Sequence, residues 1–418
     1  MKMSTADYKF SDRFSGHGLL HTPEGVRDIY NGECARKLAV QERMHQVLRS
    51  HGFHDIQTPM FEFFDIFNKE RGTVASKNMY KFFDREGNTL VLRPDITPSI
   101  ARCVAKYYKE EELPIRLCYM GNTFINNSSY QGKLKEATQL GAELINDDTS
   151  DADAEMIALT IECLLQSGLK EFQVEAGHAD FFLGLVEEAD FGEDEINELK
   201  SLMLSKNLFG VETLISEKEM SEDLKELFMK LPALFGTVEN LEYAKSKTQN
   251  KRALHAIDRL EKLYAILETY GLSNYVTFDL GMLSKYNYYT GIIFRAFTYG
   301  NGEPIVNGGR YGNLVEQFGK KAPAIGVAIE VDQLMVALSR QKIQKTEEEK
   351  DVLVLYSSDE RKAAIVFANK LREEGKHVAL VRKSSRRSLE EYKAYGHRSN
   401  FGKIYFVEKD EQISELSK

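Results

Sequence analysis

The sequence predicts an α+β fold: a mixed strand-and-helix body, interrupted by a helical module and followed by a small α/β domain. Three observations carry this. Residues 20–188 alternate between helical and strand hydrophobic patterns, and strand patterns return over 274–340. Residues 189–270 are instead dense in Glu, Lys and Leu, poor in β-branched residues and broken at Pro232 and Gly236, which reads as an inserted all-helical module. After the charged stretch RQKIQKTEEEK, residues 350–418 show one β-α-β pattern and a further strand. The expected domains are therefore 1–188 and 271–341 as two parts of one core, 189–270 as the insertion, and 350–418 as a C-terminal unit. A length of 418 residues fits two to three domains.

The elements follow in order. Residues 35–50 (ARKLAVQERMHQVLRS) have apolar positions at helical spacing, Gly52 stops the helix, and a short strand ending in Pro59 follows. FFDREGNTLVLRP reads as a hairpin turning at Glu86, Gly87 and Asn88. LPIRLCYMGNTFIN and KLKEATQLGAELIN read as a strand–loop–strand unit. Residues 151–167 form an amphipathic helix with Asp in its first turn, where the helix dipole favours an anion. VTFDLGML and GIIFRAFTYG are strands, and AIGVAIEVDQLMVAL closes the core. In the tail, DVLVLYS, ERKAAIVFANKLREEG and HVALV give the β-α-β unit, with KIYFVEK after it.

Composition excludes several classes. With 42% apolar and 28% charged residues the chain is neither disordered nor a disulfide-built miniprotein. The net charge is −9, and it is unevenly spread: residues 350–418 hold 15 Lys and Arg against 11 Asp and Glu, so the rest of the chain stands at −13. Such a body is a poor match to nucleic acid or an anionic membrane. The cysteines Cys34, Cys103, Cys118 and Cys163 form no C-x-x-C pair, so no metal is expected and reduced thiols are. The first fourteen residues lack an apolar leader core and no run of 18 apolar residues occurs, so the expected location is cytoplasmic.

Generic catalytic motifs are missing: there is no H-E-x-x-H, no G-x-x-x-x-G-K-[ST], no G-x-S-x-G and no G-x-G-x-x-G. Four segments stand out instead. Asp95 lies between Pro94 and Pro98 in LRPDITP; Gln139 and Glu143 are four apart on one strand and face the same side; YNYYTG and NGGRYG are rich in phenols and glycine. Carboxylates, an amide and phenols together suit a small zwitterion, the acids pairing an ammonium or an imidazole N–H. The same residues also read as polar strand ends and aromatic packing.

Taken together these segments resemble the catalytic core of histidyl-tRNA synthetase, a class II aminoacyl-tRNA synthetase, over about residues 20–340. HTPEGVRDIY is similar to P-x-G-x-x-D, and residues 35–59 to the first class II motif, a dimer-forming helix and strand. LRPDIT resembles L-R-P-E-G-T. PIRLCYMGNTFINNSSYQGKLKEATQLGAELIN resembles the second motif and its continuation to H-Q-x-G-x-E. NYYTG, NGGRYGNL and AIGVAIEVDQLM resemble R-G-L-D-Y-Y-T-G, A-G-G-R-Y-D-G-L and the third motif. The resemblance implies a class II-like antiparallel sheet flanked by helices, and homodimerisation.

The departures matter as much. The synthetase Arg on the ATP α-phosphate falls on Ile125, the second motif's Glu on Asn127, the adenine-stacking Phe on Ala137, the Arg at the reacting carboxylate on Ser284, and the γ-phosphate Arg on Gln333. Lys135 and Lys285 lie nearby but at none of the Arg positions. Charge-assisted hydrogen bonds contribute roughly 1.5–3 kcal/mol each. Losing three removes on the order of 5–9 kcal/mol, roughly three to six orders of magnitude in rate. The amino-acid pocket is kept. By the resemblance Asp95, Thr97, Gln139, Glu143, Tyr288, Tyr289 and Tyr311 are histidine-binding residues, with no catalytic residue and no cofactor. This pattern resembles the synthetase paralogues that act as regulatory subunits of short-form ATP phosphoribosyltransferase. The resemblance implies a non-catalytic protein of histidine biosynthesis, with the short catalytic subunit as partner and histidine as feedback effector. A free-standing histidine sensor and a divergent histidyl-tRNA synthetase remain the alternatives. The basic run RKSSRR at 382–387 reads as a solvated turn or a residual RNA patch.

Overall fold

The computed structural model describes residues 20–67, 74–127, 133–283, 289–343, 351–408 and 412–416. The chain divides into two compact units, Met1–Gln344 and Lys345–Lys418. In the first, helix Asn31–Ser50 (α1) leads to strands His54–Asp55 (β1) and Phe61–Phe63 (β2), hairpin Lys81–Phe83 (β3) and Thr89–Leu92 (β4), and helix Thr97–Tyr107 (α2). Strands Ile115–Phe124 (β5) and Glu136–Ile145 (β6), helix Ser150–Ser167 (α3) and strand Phe172–His178 (β7) follow. Helices Ala179–Glu188 (α4), Glu193–Leu204 (α5), Leu208–Ser216 (α6) and Glu222–Lys230 (α7) come next. Strand Phe235–Gly236 (β8) and helices Glu239–Lys247 (α8) and Lys251–Thr269 (α9) complete this stretch. Strands Val276–Asp279 (β9), Ile292–Thr298 (β10), Val306–Tyr311 (β11) and Ala324–Glu330 (β12), then helix Val331–Arg340 (α10), close the unit.

Nine strands form one sheet in the order β1-β5-β6-β12-β11-β10-β7-β9-β8. It is antiparallel apart from the parallel pairs β1 with β5 and β7 with β9. The helices α3 and α9 pack on one another, and α3 also packs on α1 and β12. Sequence explains these elements locally. Thr149 caps α3 by accepting from Ala152 N at 3.2 Å, and Gly168, at φ +105°, ends it. Along α9, Ala253, Ala256, Ile257, Leu260, Leu263 and Leu267 recur at three- and four-residue steps and all are buried.

Two expectations need correction. Helix α1 starts at Asn31, four residues earlier than the apolar spacing shows, because its first turn is half-buried or exposed and carries no hydrophobic signal. The 189–270 stretch is not purely helical. Where Pro232 and Gly236 break it, β8 pairs with Phe278 and Asp279 of β9 and ends the sheet. A chain released from helix must still satisfy its backbone groups, and the edge of β9 offers partners.

The second unit has strands Val352–Tyr356 (β13), Val378–Arg382 (β14), Lys403–Val407 (β15) and Ile413–Glu415 (β16), with helices Arg361–Glu373 (α11) and Leu389–Arg398 (α12). Its sheet runs β14-β13-β15-β16, with β13 parallel to both neighbours and β16 antiparallel. The RKSSRR run spans the end of β14 and the turn into α12, where Ser388 and Glu391 form a reciprocal cap. No helix among the described residues is long and apolar enough to cross a membrane. The four cysteines are unpaired.

The strongest polar fixture in the core is Asp153, with no exposed surface. Its Oδ1 receives Arg310 Nη2 at 2.6 Å and its Oδ2 receives Arg259 Nη2 at 2.7 Å. Arg310 also donates to the carbonyls of Asp147 and Thr149. Sheet, α3 and α9 therefore meet on one carboxylate. Truncating one partner of a buried ion pair costs about 3–5 kcal/mol, because the other charge stays buried and unmatched. Asp153→Ala should lose that much in urea unfolding; a loss under about 1 kcal/mol would show that the helices do not depend on the carboxylate.

Candidate functional site

A cavity of about 120 Å³ opens on one face of the sheet, between β5, β6, β11 and β12 and the start of α2. Its wall includes Asp95, Thr97, Gln139, Glu143, Tyr289 and Tyr311, six of the seven residues that the sequence singles out, with Glu330, Asn307 and Lys135. Tyr288, with Ser284 and Lys285, lies outside the described residues.

Each wall residue is placed by local chemistry. Arg93 fixes the turn that carries Asp95. Its buried guanidinium donates to the carbonyls of Asn122 and Thr58, each at 2.8 Å, tying the end of β4 to β5 and to the segment before Pro59. It lies where a side chain at position 121 would be, so Gly121 is required there. Asp95 then accepts from Thr97 N at 3.2 Å as α2 begins. Gln139 and Glu143 share a face of β6 by the two-residue alternation of a strand. Gly326 of β12 pairs with Glu143, and any Cβ there would overlap the Glu143 carboxylate. Tyr289 lies across Gly309, so the glycine pair of NGGRYG admits a ring against the backbone. Thr290 joins the two motifs: its N–H donates to Arg310 O and its hydroxyl accepts from Gly312 N at 2.7 Å.

Glu143 is the hub. Thr97 Oγ1 donates to its Oε1 at 2.8 Å and Tyr311 Oη donates to its Oε2 at 2.6 Å. Burial pushes the Glu143 carboxyl up to about 8, opposed by these two hydrogen bonds and reinforced by the Asp95 charge. Burial and Glu143 together hold the Tyr311 phenol well above its usual range, so it remains a donor. Gln139 Nε2 donates to Glu330 Oε1 at 2.9 Å, while Gln139 Oε1 is buried with no donor. Burial pushes Glu330 up to about 7, opposed by Gln139 and reinforced by Asp95 and Asp332. Around the cavity stand three carboxyls, and Lys135 is the one cation among the described residues of its wall.

Glu330 was missed in the sequence. The available signal was an acid on the same strand face as Gly326 and Ala328 in the apolar run AIGVAIEVD. Asp332 was missed as well. It accepts from Lys37 Nζ and from Thr138 N, each at 2.7 Å, joining α1 to β6 and α10. The positions expected to have lost nucleotide contacts are also visible. Ile125 and Ala137 line the cavity as apolar groups, Asn127 donates to Leu134 O at 3.1 Å, and Gln333 lies in the first turn of α10.

The raised carboxyls make stability depend on pH. Above about pH 4.5 the unfolded chain has released protons that native Glu143 and Glu330 keep, so native stability falls as pH rises towards 8. His178 works in the other direction. Burial depresses it to about 4, so below pH 6.5 the unfolded chain takes up a proton that the native state refuses, and acid costs stability. Between pH 6.5 and 8 the two glutamates dominate. Denaturant unfolding of the ligand-free chain should lose on the order of 1–2 kcal/mol across that window. Glu143→Gln should flatten most of the slope; an unchanged slope would remove Glu143 as its origin.

The histidyl-tRNA synthetase family model matches residues 25–334. The ATP phosphoribosyltransferase regulatory subunit of Acetivibrio thermocellus is 42% identical over 361 residues, 86% of each chain. The crystal structure of an ATP phosphoribosyltransferase regulatory subunit/histidyl-tRNA synthetase from Bacillus halodurans superposes with a TM-score of 0.83 at 32% identity, covering 93% of this chain and 98% of that one. Histidyl-tRNA synthetase from Nostoc sp. PCC 7120 shares the fold, with a TM-score of 0.78 at 18% identity over 95% of this chain and 96% of that one. With its class II synthetase-like fold, the chain belongs to the histidyl-tRNA synthetase-like family, within the group of ATP phosphoribosyltransferase regulatory subunits.

Proposed function

We propose that this chain is the non-catalytic regulatory subunit of ATP phosphoribosyltransferase, acting in the first step of histidine biosynthesis, and that free histidine is its effector. In this reading it assembles with a separate short catalytic subunit, supports that subunit's activity and transmits feedback inhibition. Histidine occupies the cavity against Asp95, Thr97, Gln139, Glu143, Tyr289 and Tyr311, with Tyr288 at the same motif. Residues 1–188 and 271–341 form the core, 189–270 is an insertion in it and 350–418 is an added domain. The chain self-associates through the helix α1 region, works in the cytoplasm and uses no nucleic acid, membrane or cofactor.

The observation that carries this reading is the wall of the cavity. Three carboxyls and an orphaned amide oxygen share the wall with one Lys, and Ile125 and Ala137, which by the sequence resemblance replace ATP-binding residues of a synthetase, line it as apolar groups. An acceptor-rich cavity whose carboxyls ionise against a bound cation suits an ammonium and an imidazole N–H, and it offers a triphosphate only Lys135 as a cation among the described residues of its wall. Histidine binding would change the equilibrium between quaternary states shared with the catalytic subunit, a coupling free energy between two sites.

Calorimetry on the purified chain tests the reading. Histidine should bind and ATP should give no heat. When the chain is mixed with a short ATP phosphoribosyltransferase catalytic subunit, activity should rise, and histidine should lower it. Tight ATP binding, or histidine-dependent pyrophosphate exchange by the chain alone, would overturn the proposal.

A further inference from the structure

The two ends of the cavity floor differ chemically. Strands β6 and β12 run side by side, and their cavity-facing residues meet in three pairs: Glu143 with Gly326, Gly141 with Ala328, and Gln139 with Glu330. The middle pair has no side chain larger than a methyl group, and the Tyr119 ring packs over Gly141, leaving Ala328 to line the cavity. The outer pairs put a carboxylate at each end, four strand positions or roughly 13 Å apart along the backbone.

At the Glu143 end, both carboxylate oxygens already accept a hydroxyl, from Thr97 and from Tyr311. The lone pairs left over suit a single N–H, such as that of a neutral aromatic ring. At the Glu330 end, Oε1 accepts from Gln139 Nε2, and the buried Gln139 Oε1 has no donor at all. A buried acceptor without a partner is expensive, and native proteins keep one where a ligand or water completes it. Asp95 lines the same cavity and adds a third carboxyl to it. A primary ammonium carries three N–H donors and a full charge. The Glu330 end supplies the carboxylate and the orphaned amide oxygen to match it.

We propose that Glu330 is a specificity-determining residue of this cavity, receiving the primary ammonium of the effector together with Gln139 Oε1. The proposal rests on the reading of the cavity as an amino-acid site and adds a residue to it. The same side chain, ionised against an ammonium, has no positive charge to offer a phosphate, so it favours a free amino acid over a nucleotide.

The test is a ligand-by-variant cycle by calorimetry on the full chain. Wild type and Glu330→Gln are each titrated with histidine and with imidazole lactate, which carries a hydroxyl in place of the ammonium. Glu330→Gln keeps a carbonyl oxygen for Gln139 Nε2, and thermal unfolding checks that the fold is intact. Charge-assisted hydrogen bonds imply that the variant binds histidine about 10–100-fold more weakly. Its affinity for imidazole lactate should stay within about 3-fold, since that ligand has no ammonium to lose. Glu330→Asp, which keeps the charge on a shorter arm, should recover part of the histidine affinity. Equal weakening for both ligands would show that Glu330 acts only by holding Gln139, and unchanged histidine binding would show that it does not contact the ammonium. Either outcome overturns the inference while leaving the histidine site standing. Absence of histidine binding by wild type overturns the site and the inference together.

Discussion

Asp153 sits with no water contact, between two guanidinium groups and beneath a turn of main chain, and much of the molecule is arranged around making that tolerable. Two arginines against one carboxylate would leave a buried excess of positive charge. Asp148, whose side chain is largely exposed, lies 3.4 Å from Arg310 and 3.6 Å from Arg259 and brings the cluster to two charges of each sign at its solvent edge. Buried charges are tolerated only where every member is matched and the remaining donors are satisfied. The carbonyls of Asp147 and Thr149 take donors of Arg310, so the quartet also fixes the turn between β6 and α3. Arg310 and Tyr311 are adjacent on β11 and point to opposite faces of the sheet. One face enters the charge quartet and the other places a phenol on Glu143. The cavity-facing geometry is held by a charge cluster on the far side of the same strand.

The cavity itself is unbalanced, and this is informative. Asp95, Glu143 and Glu330 share a small volume with Lys135 as the one cation of the described wall. Without a ligand the charge is relieved by protons, which is why burial raises the Glu143 and Glu330 carboxyls. A cationic ligand would replace those protons, so binding and proton release are linked. The quartet is balanced without help from outside, whereas the cavity is balanced only by what it takes up. That contrast separates a structural charge cluster from a receptive one.

Much of the fold was legible because it rests on local periodicity. The long helices α3 and α9 announce their buried faces at three- and four-residue spacing, and the hairpin β3–β4 announces its turn at Gly87, whose φ is +84°. Most of the site was legible for another reason: Gln139 with Glu143, and the N-G-G-R-Y-G run, are unusual on their own strands. Glu330 and Asp332 were not, because their meaning comes from pairing. Glu330 faces Gln139 across 191 residues of sequence and Asp332 reaches Lys37 across 295. One sequence carries no record of which strand lies beside which. Strand β8 was hidden by brevity, since two residues show no period, and the start of α1 was hidden because a solvent-facing turn has no apolar pattern to read.

Size and charge then act on the cavity together. About 120 Å³ is in the range of cavities that admit a single six-membered ring, and Gly326 and Ala328 bring no large side chain of their own to its wall, while Gly141 makes room for the Tyr119 ring beside it. A Cβ at Gly326 would meet the Glu143 carboxylate, and one at Gly141 would meet the ring of Tyr119 and the Val327 backbone. The small residues are therefore a condition for the acids to sit where they do. Enlarging the floor residues would force Glu143 away from Thr97 and Tyr311, leaving a buried carboxyl without its two donors. Removing the acids would leave an apolar slot with no preference for a cation. Space for a ring and acceptors for N–H groups are thus imposed by the same cross-strand pairs, and a ligand that satisfies one without the other is poorly held.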